Sequence, residues 1–536
     1  MQQTDRSVQF DFGEGFEEAQ DFPAEALRFF GEAQDFLTEA PARGGGHAAY
    51  AGDSADDTPL DAPGAPGRWR DNPWFALAII LFAPLMTVLD VFIVNVGLPT
   101  IQRYYHTTNA SVQLVVAAYL VGYSVFLITG SRLGDHFGRK RLFCIGLLLF
   151  TATSVCCGYA GTIGELVLFR FLQGVSASLA VPQTVTLIQL TFSDPKDKDK
   201  AFGYYGVCLG VASVLGQFLG GYLIDAHLIR DSWRLIFLIN LPIGLLASLL
   251  SMFFLKESKN KVIRKFDVTG VLLLTAVLTC LIYPIIQGRE LGWPVWSVGM
   301  LLGSFVLLAV FIRNQGQKAK RSGDPLLHLD LFRYRSFTIG VACLLFLFGV
   351  HNSFLLISAV YLQQSIHFTP LAASLYFVPM CLSFLVASLW ASRRVSTWGI
   401  RLLQMGAGMM ILSFVLQGVF FESGHGILLL FVLYGWGLGQ IMPSLLNFSL
   451  KDIPAEYAGG ASGVYSTIQQ FSSALGVSMI GGVYFAAVGK VGYWHAYQAA
   501  AVCMVGYMLV AVVLLERLRR KAGRSVGVVH PVIADV

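Results

Sequence analysis

One aspartate and one arginine stand deep inside stretches that are otherwise apolar, Asp90 in the run 75–97 and Arg170 in the run 164–189. A carboxylate at membrane depth costs about 2.5–3.5 kcal/mol on insertion scales, so its presence points to a function. Withdrawal from water favours the protonated form of a carboxyl group, which suits a group that takes up and releases a proton. The plainer role is a structural Asp bonded to a neighbouring helix. An arginine stays ionised and needs a partner. Asp90 is the obvious one for Arg170, and Gln173 lies one helical turn on. A carboxylate that alternates between pairing with Arg170 and carrying a proton would couple proton movement to a change of shape. A static buried pair would couple nothing.

Other polar residues share these runs. Asn95 follows Asp90 by five residues, and His351 and Asn352 interrupt the run 337–360. Histidine titrates near neutral pH, so His351 joins Asp90 and Arg170 as a proton-coupling candidate, with a hydrogen-bonded packing role equally open. Tyr465, Ser466, Thr467, Gln469 and Gln470 form a polar stripe in the run 459–486. Asn95, Gln173, Gln217, Asn352, Tyr465 and Gln469 are the candidates to line a substrate cavity.

The elements that position these residues follow from composition. Of 536 residues, 55% are hydrophobic and 13% charged, where soluble domains carry about 25% charged residues. Apolar runs lie near 75–97, 113–132, 142–161, 164–189, 202–224, 234–255, 268–287 and 295–313. Six more lie near 337–360, 371–391, 402–421, 426–449, 459–486 and 495–515. At about 1.5 Å per residue, such runs cross a hydrocarbon core of about 30 Å. Backbone groups in lipid must be satisfied within their own segment, so each run is expected to be a helix. The chain therefore reads as an all-α polytopic membrane protein of about fourteen spans.

Charge tests the division. With the two sides alternating, one receives 27 Lys and Arg residues in its loops and the other only Arg103, Arg230, Arg234, Arg289 and Lys490. Basic residues favour cytoplasmic loops, so an even span count with both termini cytoplasmic is expected, in a bacterial inner membrane. Residues 1–67 hold fourteen acids and three basic residues, the composition of a disordered tail with at most a weak amphipathic stretch around Phe29 and Phe30. The head has no apolar core of a secretory signal. The eight cysteines have no metal-ligand spacing, there is no Gly-rich Lys loop for a nucleotide, and no Ser/His/Asp set has a recognisable context. No enzyme chemistry, cofactor, metal or nucleic-acid partner is expected; the partners are a small molecule, protons and the lipid bilayer. The sequence names no periplasmic partner.

The chain repeats itself. Gly130-Ser131-Arg132-Leu133-Gly134-Asp135-His136-Phe137-Gly138-Arg139-Lys140-Arg141 follows the second run, and Ala391-Ser392-Arg393-Arg394-Val395-Ser396-Thr397-Trp398-Gly399-Ile400-Arg401 follows the tenth. Offset by 261 residues, Arg132 meets Arg393 and Gly138 meets Gly399, while Ser396 stands opposite Asp135. Two six-helix halves separated by an extra helix pair explain this, and internal repeats are how many secondary transporters build alternating access. The expected organisation is an acidic tail (1–73), an N-terminal bundle (74–255), a central pair with linkers (256–335), a C-terminal bundle (336–516) and a basic tail (517–536). Asp135 and Arg139, four apart, are expected to face one another on a helical turn.

Five segments together resemble the major facilitator superfamily, in its fourteen-span drug:proton antiporter branch, over about residues 75–516. They are Leu89 to Pro99, the Gly130–Arg141 loop, Arg170 to Gly174, Gly216 to Gly221, and Trp233 to Pro242. The resemblance implies the two-bundle fold and proton-coupled efflux of amphipathic organic compounds. It implies a cytoplasmic gate at Gly130, Asp135, Gly138, Arg139 and Arg141, latching the halves, and it puts Arg170 in the proton pathway. Phe92 and Gly97 replace the usual Thr and Ala. Gln217 replaces the Pro that normally follows the glycine matching Gly216, which leaves open a proton symporter for a specific metabolite. A transporter-derived receptor or assembly partner is the third reading.

Overall fold

In a computed structural model, residues 72–257, 267–321, 325–420 and 426–526 are described. The acidic head, with Phe29 and Phe30, lies outside them. Among the described residues the regular structure is helical, with no strand. In chain order the helices are α1 (Pro73–Ile80), α2 (Phe82–Tyr105), α3 (Asn109–Phe137), α4 (Arg139–Tyr159), α5 (Ile163–Thr191), α6 (Pro195–Asp225), α7 (Leu235–Leu238) and α8 (Asn240–Phe254). They continue with α9 (Val268–Glu290), α10 (Val295–Lys320), α11 (Arg335–Gln364), α12 (Pro370–Trp398), α13 (Ile400–Phe420), α14 (Ile427–Leu450) and α15 (Ala455–Val526).

Two irregularities reconcile this order with fourteen spans. The first span is interrupted at Leu81, between α1 and α2. Pro84 lies four residues past Ile80, and a proline ring crowds that carbonyl and supplies no N–H. At the other end, thirteen helical stretches among the described residues are long and apolar enough to cross a membrane, and the last, Ala461–Arg517, runs 57 residues. It reverses at Gly492 (φ 79°, ψ 171°), a backbone conformation that favours glycine. Beyond the reversal, Tyr507 donates to Met479 Sδ at 3.4 Å. On one straight helix these residues would be about 42 Å apart. The thirteenth stretch thus supplies two crossings.

The 261-residue repeat holds in three dimensions. A Cβ on Gly174 (α5) would come within 2.1 Å of the Tyr119 carbonyl (α3), and one on Gly435 (α14) within 2.2 Å of the Met380 carbonyl (α12). Both partners are displaced by the same 261 residues, so the α3–α5 crossing recurs as α12–α14. The loop glycines match too: Gly138 (φ 106°) separates α3 from α4, and Gly399 (φ 52°) separates α12 from α13.

The halves meet along a seam of three helix pairs. α3 packs against α15, α6 against α12, and α2 against α11. Small residues allow the approach, as membrane helices require. Gly216 and Gly220 of α6 lie against the α2 backbone, while Gly210 and Gly221 lie against Leu385 and Leu371 of α12. Gly206, of the same stripe, faces open space.

The extra pair α9–α10 is pinned on the basic side by a buried carboxylate. Asp267 caps α9, accepting from the backbone N–H of Gly270 at 2.6 Å. It also accepts from Gln315 Nε2 at 2.8 Å, from the Leu326 N–H at 3.1 Å and from Lys318. Burial pushes this carboxyl up, but the Lys318 ammonium, the Gln315 amide and the two N–H groups outweigh it and hold it below the usual carboxylate range. A depressed value means stability that is present above a carboxylate's ordinary value of about 4 and is lost as pH falls through the lower, folded-state value. Asp267→Asn is expected to cost about 1.5–3 kcal/mol at pH 7, a deficit that shrinks below about pH 4. Thermal unfolding in detergent across that range checks it.

Candidate functional site

The chain crosses Asp90, Arg170 and Gln173 at one buried point in the N-terminal half. Asp90 sits midway along α2, and Arg170 and Gln173 share one face of α5. Arg170 Nη1 donates to Asp90 Oδ2 at 2.5 Å and to Gln173 Oε1 at 2.7 Å, and Gln173 Nε2 donates to Asp90 Oδ1 at 2.8 Å. All three are at most 1% exposed. Gln173 thus joins the ion pair, bonding both of its members.

The guanidinium has further partners. Its Nε donates to the Val115 carbonyl at 3.3 Å, and it lies 4.4 Å over the Tyr119 ring and 5.8 Å from that of Phe237. The carboxylate has one more donor, Asn240 Nδ2 at 3.4 Å, which also bonds Ser154 Oγ at 3.0 Å. Sequence reasoning did not single out Asn240, Ser154 or Tyr119 for this site. Asn240 lies in the Trp233–Pro242 segment, so a polar residue in an apolar run was the available signal. Asn95, the partner entertained for Asp90, instead bonds the Val91 carbonyl of its own helix at 2.8 Å. Its Oδ1 is buried without a partner, as is Gln217 Oε1.

His351 has an internal twin. Its Nδ1 lies 2.9 Å from Tyr434 Oη, and the ring planes stack at 13°. His351 is 261 residues beyond Asp90 and Tyr434 is 261 beyond Gln173. A His–Tyr pair thus stands in the C-terminal half where the Asp90–Gln173 bond stands in the N-terminal half. His351 is buried and faces the Phe92 ring of α2 across the seam, 6.4 Å between centroids. Asn352 donates to Ser473 Oγ at 2.8 Å, while Tyr465 is buried and Gln469 half-buried on the same α15.

On the side opposite the basic loops, bonds cross from half to half. Gln363 Nε2 donates to the Val96 carbonyl at 2.9 Å, Gln364 to Gln102 at 2.9 Å, and the Leu371 N–H to Asp225 at 2.8 Å.

The repeat-loop geometry corrects one expectation. Asp135 belongs to the last turn of α3 and Arg139 is the first residue of α4, with the turn at Gly138 between them. They share no helical turn; the Asp135 side chain lies outside the described residues. What holds the start of α4 is Glu257, which accepts from the N–H groups of Lys140 (3.1 Å) and Arg141 (3.2 Å) and lies 3.7 Å from the Arg141 side chain. A carboxylate is favourable at a helix N-terminus. Gly130 lets α3 touch the Ser178 carbonyl, where a Cβ would come within 2.1 Å. Arg132 reaches the Pro325 carbonyl of the linker at 2.5 Å.

Comparison with known proteins bears on these features. Residues 80–477 match the model of the Major Facilitator Superfamily. The chain is 34% identical over 448 residues to a probable actinorhodin transporter of Streptomyces coelicolor, covering 81% of this chain and 77% of that one. It is 32% identical over 401 residues to the multidrug resistance protein Stp of Mycobacterium tuberculosis, covering 74% and 73%. In fold it resembles a bacterial homologue of the human lysosomal transporter Spinster, solved inward-facing and occupied (TM-score 0.60, 13% identity, 83% of this chain and 97% of that one).

Proposed function

The chain belongs to the Major Facilitator Superfamily, and from that premise we propose that it is a secondary active exporter of amphipathic organic compounds, driven by proton antiport. It sits as a multi-pass protein in a bacterial plasma membrane, both termini in the cytoplasm, following the basic loops. It moves its substrate unchanged.

The observation that carries this reading is the Asp90–Arg170–Gln173 cluster. Uncompensated, a buried guanidinium is costly. Here Arg170 keeps Gln173 Oε1, the Val115 carbonyl and the Tyr119 ring when a proton neutralises Asp90. The pair can therefore open without leaving a bare charge. Protonation removes the charge that draws α2 to α5, and α2 carries Phe92 and Val96 to the seam. A proton is thereby traded for a shift of α2 against the C-terminal half, where His351 faces Phe92, and Asn95 and Gln217 of the N-terminal half meet the substrate. The names of the Streptomyces and Mycobacterium relatives support export, and the mostly apolar seam suits amphipathic cargo.

Proteoliposomes with an imposed pH gradient test the direction, with actinorhodin as the first probe and a panel of amphipathic antibiotics beside it. Antiport predicts accumulation inside vesicles whose interior is acid. Accumulation only with the exterior acid would make the chain a symporter, and none under either gradient would overturn transport of this class.

A further inference from the structure

The extra pair α9–α10 is no part of either six-helix half, yet α9 packs on both sides of the seam, against α3 and against α15. Its tip, opposite the basic loops, ends in Arg289 and Glu290. Glu290 Oε2 accepts from Thr108 Oγ at 3.0 Å and from the Ala110 N–H at 3.2 Å, so it caps α3 from outside. A carboxylate is well placed at that helix N-terminus. This ties the tip of α9 to the N-terminal half.

Arg289 reaches the other way. Its Nη2 donates to Gln113 Oε1 at 3.2 Å, and Gln113, fully buried on α3, turns its Nε2 to the Val477 carbonyl of α15 at 3.5 Å. The chain runs from the extra helix through the N-terminal half to the C-terminal half. Two consecutive glycines of α15 leave room for it. A Cβ on Gly481 would lie 2.7 Å from Gln113 Nε2, and one on Gly482 would lie 2.8 Å from Arg289 Nη1. Arg289 Nη1 is itself buried without a hydrogen-bond partner, pressed to a surface that it meets only while α3 and α15 stay together.

We propose that Arg289 and Glu290 are gating residues of the transport cycle: the extra helix pair is a clasp that holds the seam closed on the side opposite the basic loops. Glu290 fixes the clasp to α3, and Arg289 orients the Gln113 amide toward α15. When the halves part on that side, the contacts of Gln113 and Arg289 with α15 are lost together, while the Glu290 bonds persist. The proposal rests on alternating access by the two halves and is indifferent to what drives the cycle.

The test reads the gate directly. Leu356 is buried beside Gly481 and Ile128 lies beside Gly463 toward the basic side of the seam. Leu356→Cys is labelled from the outside and Ile128→Cys from inverted vesicles with a membrane-impermeant maleimide. The extent is read by mass spectrometry of the peptide concerned, so the native cysteines stay in place. Arg289→Ala is expected to raise Leu356→Cys labelling on the order of tenfold, because it removes the charged partner that orients the Gln113 amide toward α15 together with the packing of Arg289 on α15, with no rise at Ile128→Cys. Glu290→Gln, which keeps the chain's size and shape, is expected to act in the same direction more weakly. Unchanged labelling at Leu356→Cys in both variants overturns the proposal. An equal rise at both positions also overturns it, since that marks general loosening. Because labelling needs no substrate and no gradient, failure here is distinct from failure of the export assay.

Discussion

Asp90→Asn is expected to reduce gradient-driven export to background while the protein remains folded in the membrane. Asn is nearly isosteric with Asp, and its Oδ1 still accepts from Arg170 or Gln173. Arg170 keeps the Gln173, Val115 and Tyr119 contacts. The cost in stability should therefore be about 1–3 kcal/mol, the range for a lost charge-assisted hydrogen bond, and not that of a bare buried charge. Transport fails for a different reason, which is that the amide binds no proton across the working range and the trade of proton for shape has no first step. Export assays beside detergent thermal stability separate the two effects. Export at the wild-type rate in this variant would remove Asp90 from the coupling role.

Arg170→Met is expected to be the most damaging single change in the N-terminal half. It leaves the Asp90 carboxylate with only Gln173 and Asn240 as donors, in a site sealed from water. Removing one partner of a buried pair costs about 3–5 kcal/mol. The expected result is little folded protein in the membrane. The double variant Asp90→Asn with Arg170→Met should recover much of that stability and none of the export, because the two changes act on one pair and are not additive. Arg170→Lys should not rescue export, since a single ammonium cannot reproduce the fork that meets Asp90, Gln173 and Val115 together. Folded yield, thermal midpoint and export across the four proteins make a complete cycle.

Much of this architecture was legible in the residues. Asp90 and Arg170 stood out because lipid makes isolated charges costly, so a charge that persists carries information. The alternation of basic loops called for an even number of spans, and the reversal at Gly492, just past Lys490, matches that count by turning the last stretch into two crossings. The 261-residue offset, read from two loops, recurs at the Gly174 and Gly435 crossings and at the positive-φ glycines 138 and 399. Applied to Asp90, the same offset leads to His351, and applied to Gln173 it leads to Tyr434; that signal lay in the sequence unread.

What was not legible depends on tertiary contact or on one backbone angle. The i,i+4 spacing of Asp135 and Arg139 suggested a shared turn, but the helix stops at Gly138, whose φ of 106° no regular helix accommodates. Nothing in the local sequence marks Glu257 or Asp267, two acids lying between apolar runs. Their roles come from partners over a hundred residues back in one case and some fifty onward in the other. Asn240 and Ser154 are small polar residues of a common kind in membrane helices. Only the crossing of α4 and α8 near α2 brings them to Asp90.

Proton release on substrate binding tests the central claim most directly. An exported compound is added to the detergent-solubilised chain in unbuffered solution, and the pH change is followed for the wild type and for Asp90→Asn. At a pH where Asp90 carries its proton before the compound is added, the account predicts proton release by the wild type, at most about one per bound molecule, and none by the variant, with binding retained in both. Equal release from the two proteins would contradict it, since the exchanged proton would then reside elsewhere than on Asp90.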